Sequence, residues 1–109
     1  MRISVCIAVF CFHISSFAFT VIVDPGHGGH DRGAVKAKTV ESSITLSVAK
    51  RLQKLIDDSP EMNVVMTRDT DRALTLKQRA QIAIRNSGEL FLSIHANSSP
   101  DPRAKGAEF

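Results

Sequence analysis

The chain has 109 residues, of which 43% are hydrophobic and 23% charged, a composition that excludes a disordered or fibrous protein and leaves room for one globular domain. The net charge of +3 is small, and the basic residues are scattered with no stacking aromatics among them, so no nucleic-acid partner is expected.

The first 18 residues have the pattern of a secretory signal peptide. Arg2 supplies a positive charge, residues 3–12 are almost continuously apolar, and Ser16 and Ala18 are small residues before a cleavage point. The apolar run is shorter than the ~20 residues that span a bilayer, and a buried first strand or helix is the alternative. We expect cleavage after Ala18, a secreted or periplasmic mature protein, no stable membrane anchor and, since both cysteines are removed, no disulfide framework.

Three segments of the mature chain predict β-strands. They are residues 19–23 (FTVIV), 63–67 (NVVMT) and 90–94 (LFLSI). Asp24 and Pro25 end the first of them. All three are nearly continuous apolar runs, which are typical of parallel strands covered on both faces.

Two segments with helical spacing separate the strands. The first covers about residues 41–56, and a capping box of Thr75 and Gln78 opens the second, which extends to about Asn86 with Gly88 in the C-cap region. The periodicity predicts apolar inner faces: Ile44, Val48, Leu52, Leu55 and Ile56 in the first helix, and Leu76, Ala80, Ala83 and Ile84 in the second.

The β-α-β-α-β order predicts an α/β fold with a mostly parallel sheet flanked by helices. Three strands and two helices bury little apolar surface, so we expect the chain to be an incomplete part of a larger α/β domain. Ligands of such sheets bind at the carboxyl ends of the strands. The loop that contains His27, Arg68 after the second strand and His95 after the third all fall at that edge.

The loop after the first strand, GHGGHDRG, favours a metal over a phosphate. It lacks the Lys-Ser/Thr ending of a phosphate-binding loop and does not lead directly into a helix. His27 and His95 share one edge of the sheet, and two imidazoles with a carboxylate suit zinc. Among the acids, Glu61 and Glu89 fall at the opposite edge, whereas Glu41 begins the first helix beside the exit of the first strand.

Each of these residues also has a purely structural interpretation. His95 is then a hydrogen-bonded residue of the fold, and Glu41 complements the dipole of its helix. Asp24 and Asp31 either orient His27 or form turns.

Five segments carry a resemblance to a known family. They are VIVDPGHGGHDRGA (residues 21–34), ESSITLSVAKRL (41–52), MTRDTDRALTLKQRAQIA (66–83), LFLSIHANSSP (90–100) and KGAEF (105–109). Through them, residues 20–109 resemble the catalytic domain of the zinc-dependent N-acetylmuramoyl-L-alanine amidases of bacterial cell walls. The resemblance predicts that residues 19–109 are an amidase-like catalytic domain, truncated at its C-terminus.

The resemblance also implies a site and a reaction. His27, Glu41 and His95 would be the ligands of Zn²⁺, and the substrate would be peptidoglycan, cut at the amide bond between N-acetylmuramic acid and L-alanine. The glycines around His27 would leave room for a glycan strand near the metal. The family's general base is a glutamate on a later strand, beyond Phe109, so no catalytic residue is assigned within this chain.

Two alternatives stay open. One is a truncated module that binds zinc or peptidoglycan without hydrolysis because it lacks the general-base glutamate, and the other is a structural α/β fragment with incidental histidines. We expect a monomer whose partner is peptidoglycan. Arg68 is expected either to contact stem-peptide carboxylates or to form a structural salt bridge, Arg79 to pair with a nearby acid, and His30 to face solvent.

Overall fold

The computed structural model describes residues 18–99, 101, 103, 104 and 106. Its elements are β1 (Phe19–Pro25), β2 (Val35–Lys36), β3 (Thr39–Val40), α1 (Glu41–Asp57), β4 (Met62–Met66), α2 (Leu76–Arg85) and β5 (Leu90–Ile94). The predicted signal peptide up to residue 17 and the KGAEF segment, apart from Gly106, lie outside the described residues. Within the part of the chain that is described, neither helix has the length and apolarity needed to cross a membrane.

β1 is the central strand of a parallel sheet with the order β4-β1-β5. Val21 pairs with Val64 of β4 and with Leu90 of β5, and the register continues along both neighbours. β1 occupies the centre because its side chains are buried on both faces, as Ile22 and Val23 at 0% exposure show. The predicted α/β fold, with a parallel sheet flanked by helices, is confirmed.

The hydrophobic core lies between the sheet and α1. Val21 and Val23 form a cluster with Ala49 and Ile56 of α1, which is completed by half-buried side chains: Leu52, Met62, Val64, Met66 and Ile94. Full burial of one Val or Ile side chain contributes about 1.5–3 kcal/mol. The cluster therefore fixes the position of α1 on the sheet, and with it the position of the first residue of that helix.

The inner face of α1 differs from the predicted one. Three apolar side chains expected inside are exposed: Ile44 (38%), Val48 (45%) and Leu55 (68%). Thr45 and Ala49 are buried in their place. The helix takes this orientation because the hydroxyl of Thr45 donates to the carbonyl of Gly26 at 2.8 Å, so a polar contact with the loop after β1 offsets the burial of larger apolar groups.

α2 begins with the predicted capping box. Oγ1 of Thr75 accepts from the backbone N–H of Gln78 at 3.2 Å, and Oε1 of Gln78 accepts from the N–H of Thr75 at 2.8 Å. The predicted inner face is wrong, because its residues are exposed or only half-buried: Leu76, Ala80, Ala83 and Ile84. Arg79 is the buried residue of α2, so a charged side chain attaches this helix to the rest of the molecule.

The chain leaves α2 through a left-handed residue that is not glycine. Ser87 has a φ of 52°, and the N–H of Gly88 donates to the carbonyl of Ala83 at 2.9 Å, as in a Schellman motif. Gly88, the predicted C-cap residue, lies one position further on, where a Cβ atom would fall 2.3 Å from Cγ1 of Ile22. Glycine is required there for close packing against β1 and not for ending the helix.

β2 and β3 form a short antiparallel hairpin that the sequence analysis missed. Its residue pairs are Val35–Val40 and Lys36–Thr39. In the two-residue turn between them Ala37 has a φ of 54°, a conformation that glycine or asparagine usually marks in a sequence. The hairpin leads into α1, where the N–H of Glu41 donates to the carbonyl of Ala34 at 2.9 Å.

Candidate metal centre

Three side chains able to bind a metal meet at the carboxyl edge of the sheet. His27 follows β1 by two residues, His95 directly follows β5, and Glu41 is the first residue of α1. One potential ligand atom of each residue lies within 4.8 Å of the other two. The structure thus brings together the three residues predicted as ligands, while their binding of a metal stays a prediction.

The carboxylate of Glu41 stands between the two imidazoles. Its Oε1 lies 3.3 Å from Nε2 of His27 and 3.1 Å from Nδ1 of His95. The two rings meet edge to face, with centroids 4.8 Å apart and an interplanar angle of 83°. Zinc binds nitrogen and carboxylate oxygen at about 2.0–2.2 Å in a tetrahedral arrangement, which places two ligands of one ion roughly 3–4 Å apart. The donor types and their spacing therefore fit a zinc ion.

Glu41 is buried, and backbone amides hold its carboxylate. The N–H of Ala34 donates to Oε2 at 2.8 Å, and the N–H of Ala96 donates to Oε1 at 2.9 Å. Burial raises the pKa of Glu41, but these hydrogen bonds, the one with His95 and the charge of His27 outweigh it, so the pKa lies below its ordinary value. Glu41 therefore presents an anionic oxygen to the site at neutral pH.

Asp31 orients the imidazole of His27. Its Oδ1 lies 2.9 Å from Nδ1 of His27 and accepts from the N–H of Gly33 at 3.2 Å. The contact with His27 is the main cause that lowers the pKa of Asp31. Since Nδ1 is occupied, Nε2 of His27 is left to face Glu41, an arrangement common among metal-binding histidines.

Two glycines allow the ligand side chains to approach the loop backbone. A Cβ atom on Gly26 would lie 2.4 Å from Cε1 of His95, and one on Gly33 would lie 2.5 Å from Cδ2 of His27 and 2.6 Å from Oε2 of Glu41. The sequence analysis attributed the glycines of this loop to room for a glycan strand. At these two positions the space is filled by the candidate ligands themselves.

Asp24, near the end of β1, anchors Arg79 of α2. Its Oδ1 accepts from Nη1 of Arg79 and from Oγ1 of Thr67, each at 2.6 Å, and its Oδ2 accepts from Oγ of Ser93 at 2.8 Å. Burial raises the pKa of Asp24, but these hydrogen bonds and the charge of Arg79 outweigh it and lower the pKa below its ordinary value. The predicted pairing of Arg79 with an acid is confirmed. Asp24 acts on His27 through Arg79, whose Nη2 donates to the His27 carbonyl at 2.9 Å.

Arg68 lies fully buried beneath the loop that contains His27, at 0% exposure. The predicted contact with substrate carboxylates is therefore wrong. The alternative, a salt bridge, is also not found among the described residues. Its N–H groups instead donate to uncharged oxygen atoms: the carbonyls of Pro25, Gly26, Ser42 and Thr70 and the hydroxyl of Thr45. Burial, followed by the charge of Arg79, lowers the pKa of Arg68, although a guanidinium stays protonated at neutral pH.

The other candidate residues lie away from this centre. His30 is exposed, as predicted. Oε2 of Glu89 accepts from the N–H of Thr20 at 2.9 Å, at the amino edge of the sheet, and Glu61 directly precedes β4 at the same edge. The exclusion of these two acids from the ligand set agrees with the structure.

Comparison with known proteins gives consistent matches. The family described as N-acetylmuramoyl-L-alanine amidase matches residues 21–109. The probable N-acetylmuramoyl-L-alanine amidase AmiB of Haemophilus influenzae is 38% identical over 102 residues, covering 92% of this chain and 24% of that protein.

Solved structures agree with the sequence matches. The catalytic domain of CwlV, an N-acetylmuramoyl-L-alanine amidase from Bacillus (Paenibacillus) polymyxa var. colistinus, has a TM-score of 0.75 at 38% identity, covering 79% of this chain and 49% of that one. The N-acetylmuramoyl-L-alanine amidase from Clostridium difficile 630 has a TM-score of 0.76 at 34% identity, covering 83% of this chain and 50% of that one.

This chain spans 24% of the curated relative and 49% and 50% of the two solved chains. The matched residues 21–109 include both helices and the three potential metal ligands, His27, Glu41 and His95. The chain therefore belongs to the N-acetylmuramoyl-L-alanine amidase family.

Proposed function

We propose that this protein acts in the zinc-dependent hydrolysis of the amide bond between N-acetylmuramic acid and L-alanine in peptidoglycan. The observation that carries the proposal is the convergence of His27, Glu41 and His95, whose potential ligand atoms lie within 4.8 Å of one another. Membership of the amidase family supplies the bond and the substrate class. Because the chain spans half of each solved relative, the activity of a whole amidase domain is part of the proposal.

His27, Glu41 and His95 would hold the ion at the carboxyl edge of the sheet. Zn²⁺, when bound, supplies a Lewis acid that polarises an amide carbonyl and activates water. The contact between Asp31 and Nδ1 of His27 directs Nε2 into the site. Two backbone amides keep Glu41 anionic, so that the three residues offer one negative charge and two neutral nitrogens to the cation.

A second candidate function is binding of zinc or peptidoglycan without hydrolysis. Amide hydrolysis also needs a group that transfers protons. Asp31, the carboxylate beside the potential ligands, is already hydrogen-bonded to His27 and Gly33, and no other described residue is assigned to proton transfer. The two candidates therefore differ in one measurable respect, the release of wall fragments.

Hydrolysis is tested with the 109-residue chain on purified, dye-labelled sacculi, with and without added zinc. Release of dye together with new L-alanine amino groups would support the amidase, whereas zinc-dependent binding to sacculi without release would support the second candidate. His27→Ala should abolish either effect. His30→Ala, the same substitution at an exposed histidine of the same loop, should leave it unchanged, and equal loss in both variants would contradict the assigned ligands.

We also propose that residues 1–18 direct export and that the mature protein, residues 19–109, is a monomer in the periplasm or outside the cell. The apolar run and the small residues before position 19 support this proposal. N-terminal sequencing of the exported protein should begin at Phe19, and retention of Met1 would contradict it. Sedimentation equilibrium should give the mass of one mature chain, and the mass of a dimer would refute the monomer.

A further inference from the structure

We propose that Arg68 and Arg79 are positioning residues of the metal centre. Through backbone carbonyls on either side of His27 and next to Glu41, they hold two of the three ligands at the separation that one ion requires. The inference rests on the proposed function, because it concerns the same site. Both arginines act on the backbone that carries the ligands and do not themselves bind the ion.

Arg68 connects the His27 loop to the start of α1 through a single nitrogen. Its Nη2 donates to the carbonyls of Gly26 and Ser42, both at 2.9 Å. Gly26 directly precedes His27, and Ser42 directly follows Glu41. A donor shared by two short hydrogen bonds restrains the distance between the two backbone segments. It therefore also restrains the 3.3 Å distance between the imidazole and the carboxylate.

Arg79 holds the same loop from the side of α2. Its Nη1 donates to the carbonyl of Pro25 at 2.8 Å, and its Nη2 donates to the carbonyl of His27 at 2.9 Å. His27 has a φ of 61°, a left-handed conformation that a non-glycine residue keeps only when its surroundings hold it. The hydrogen bond from Arg79 is such a restraint, and it fixes the direction in which the imidazole leaves the backbone.

The role requires the shape of a guanidinium group and not merely its charge. Asp24 neutralises Arg79, but no carboxylate among the described residues lies at ion-pair distance from Arg68, whose donors end on uncharged oxygens. Arginine offers five N–H groups in a planar fork, whereas lysine offers three from one point. An Arg→Lys substitution therefore keeps the charge and removes the connection between the two segments.

The test measures zinc affinity of the 109-residue chain by competition with a chromophoric chelator. Arg68→Lys and Arg79→Lys should each bind Zn²⁺ about 10–100-fold more weakly than the parent chain, the range seen when a residue that supports a metal ligand is lost. Arg85→Lys, the same change at an exposed position of α2, should bind as the parent does. Visible absorption of Co²⁺ bound in place of zinc reports ligand geometry and should change in the first two variants only.

Circular dichroism and urea unfolding separate this role from a purely structural one. Variants that stay folded while zinc affinity falls and the cobalt spectrum changes would support positioning. Folded variants with the parent's affinity and spectrum would overturn it. If Arg68→Lys does not fold, Arg79→Lys decides, and failure of both to fold in excess zinc would assign the arginines to the fold alone and overturn the proposal. A parent chain that binds no zinc would instead refute the proposed function.

Discussion

At Glu41, one carboxylate serves two kinds of partner. It accepts hydrogen bonds from the amides of Ala34 and Ala96, and its Oε1 lies 3.3 Å and 3.1 Å from nitrogen atoms of His27 and His95. The amides need an acceptor and the cation needs an anion, so a charged carboxylate satisfies both. A neutral side chain of the same shape satisfies neither fully.

We expect Glu41→Gln to weaken zinc binding by more than about 100-fold, beyond the effect of losing an outer partner of a metal ligand. The amide removes the negative charge and turns an N–H group toward backbone donors. Competition with a chelator measures the change. Glu61→Gln, at an exposed glutamate before β4, is the matched control, and the same affinity in both variants would exclude Glu41 as a ligand.

Asp24 provides a pH-dependent contribution to stability. Its pKa is lowered in the folded state from an ordinary value of 3.8, because hydrogen bonds from Thr67, Arg79 and Ser93 and the charge of Arg79 outweigh its burial. Folding therefore favours the charged form. This stabilisation is present at pH values well above 3.8 and is lost as the pH falls from there through the lowered pKa.

We expect Asp24→Asn to lower the free energy of unfolding at neutral pH by about 3–5 kcal/mol, the cost of breaking a buried ion pair. The difference from the parent chain should narrow as the pH falls below about 4, since the parent then loses the charge that the variant lacks. Urea midpoints between pH 7 and pH 2 measure this. Two curves that stay parallel over the whole range would contradict the lowered pKa.

At the scale of elements, the sequence predicts where helices and strands lie better than which way the helices face. The three strands of the sheet and the capping box at Thr75 depend on local residue patterns, and all are found. The helix faces depend on partners distant in sequence: Thr45 turns toward the carbonyl of Gly26, and Arg79 turns toward Asp24. Apolar periodicity carries no record of such polar contacts, so it rotated both helices wrongly.

The rotation of α1 makes two neighbouring residues unequal. We expect Ile56→Ala to lower the free energy of unfolding by about 2–5 kcal/mol, because Ile56 is 6% exposed and belongs to the core. Leu55→Ala, at 68% exposure, should change it by less than about 0.5 kcal/mol. Urea unfolding of both variants checks the pair. Equal losses would restore the face that the periodicity predicted.

For the whole molecule, the parallel sheet explains why the site was predictable in outline. The carboxyl ends of β1 and β5 lie at one edge, so residues that follow those strands meet there, and α1 begins beside them. What the sequence could not predict is how the loop backbone is supported. The acceptors of Arg68 are mostly carbonyl groups, which every residue has, and the hairpin before Glu41 has no glycine in its turn.

A ligand set gathered from several elements ties metal binding to global stability. We expect zinc at about 100 times its dissociation constant to raise the free energy of unfolding by about 2.7 kcal/mol, since the unfolded chain has no preformed site. Excess chelator should reverse the rise, which is followed by the urea midpoint. His95→Ala should show no rise, and an equal rise in that variant would place the ion elsewhere.

Glu41 and His95 are separated by 54 positions in the chain, and the strand before His95 must join the sheet before the two can meet. A nascent or unfolded polypeptide therefore cannot capture the ion in this site. If the chain leaves the cytoplasm unfolded, as its proposed leader would require, loading takes place in the compartment of folding. Zinc scarcity outside the cell, and not in the cytoplasm where the protein is made, would then limit the loaded fraction.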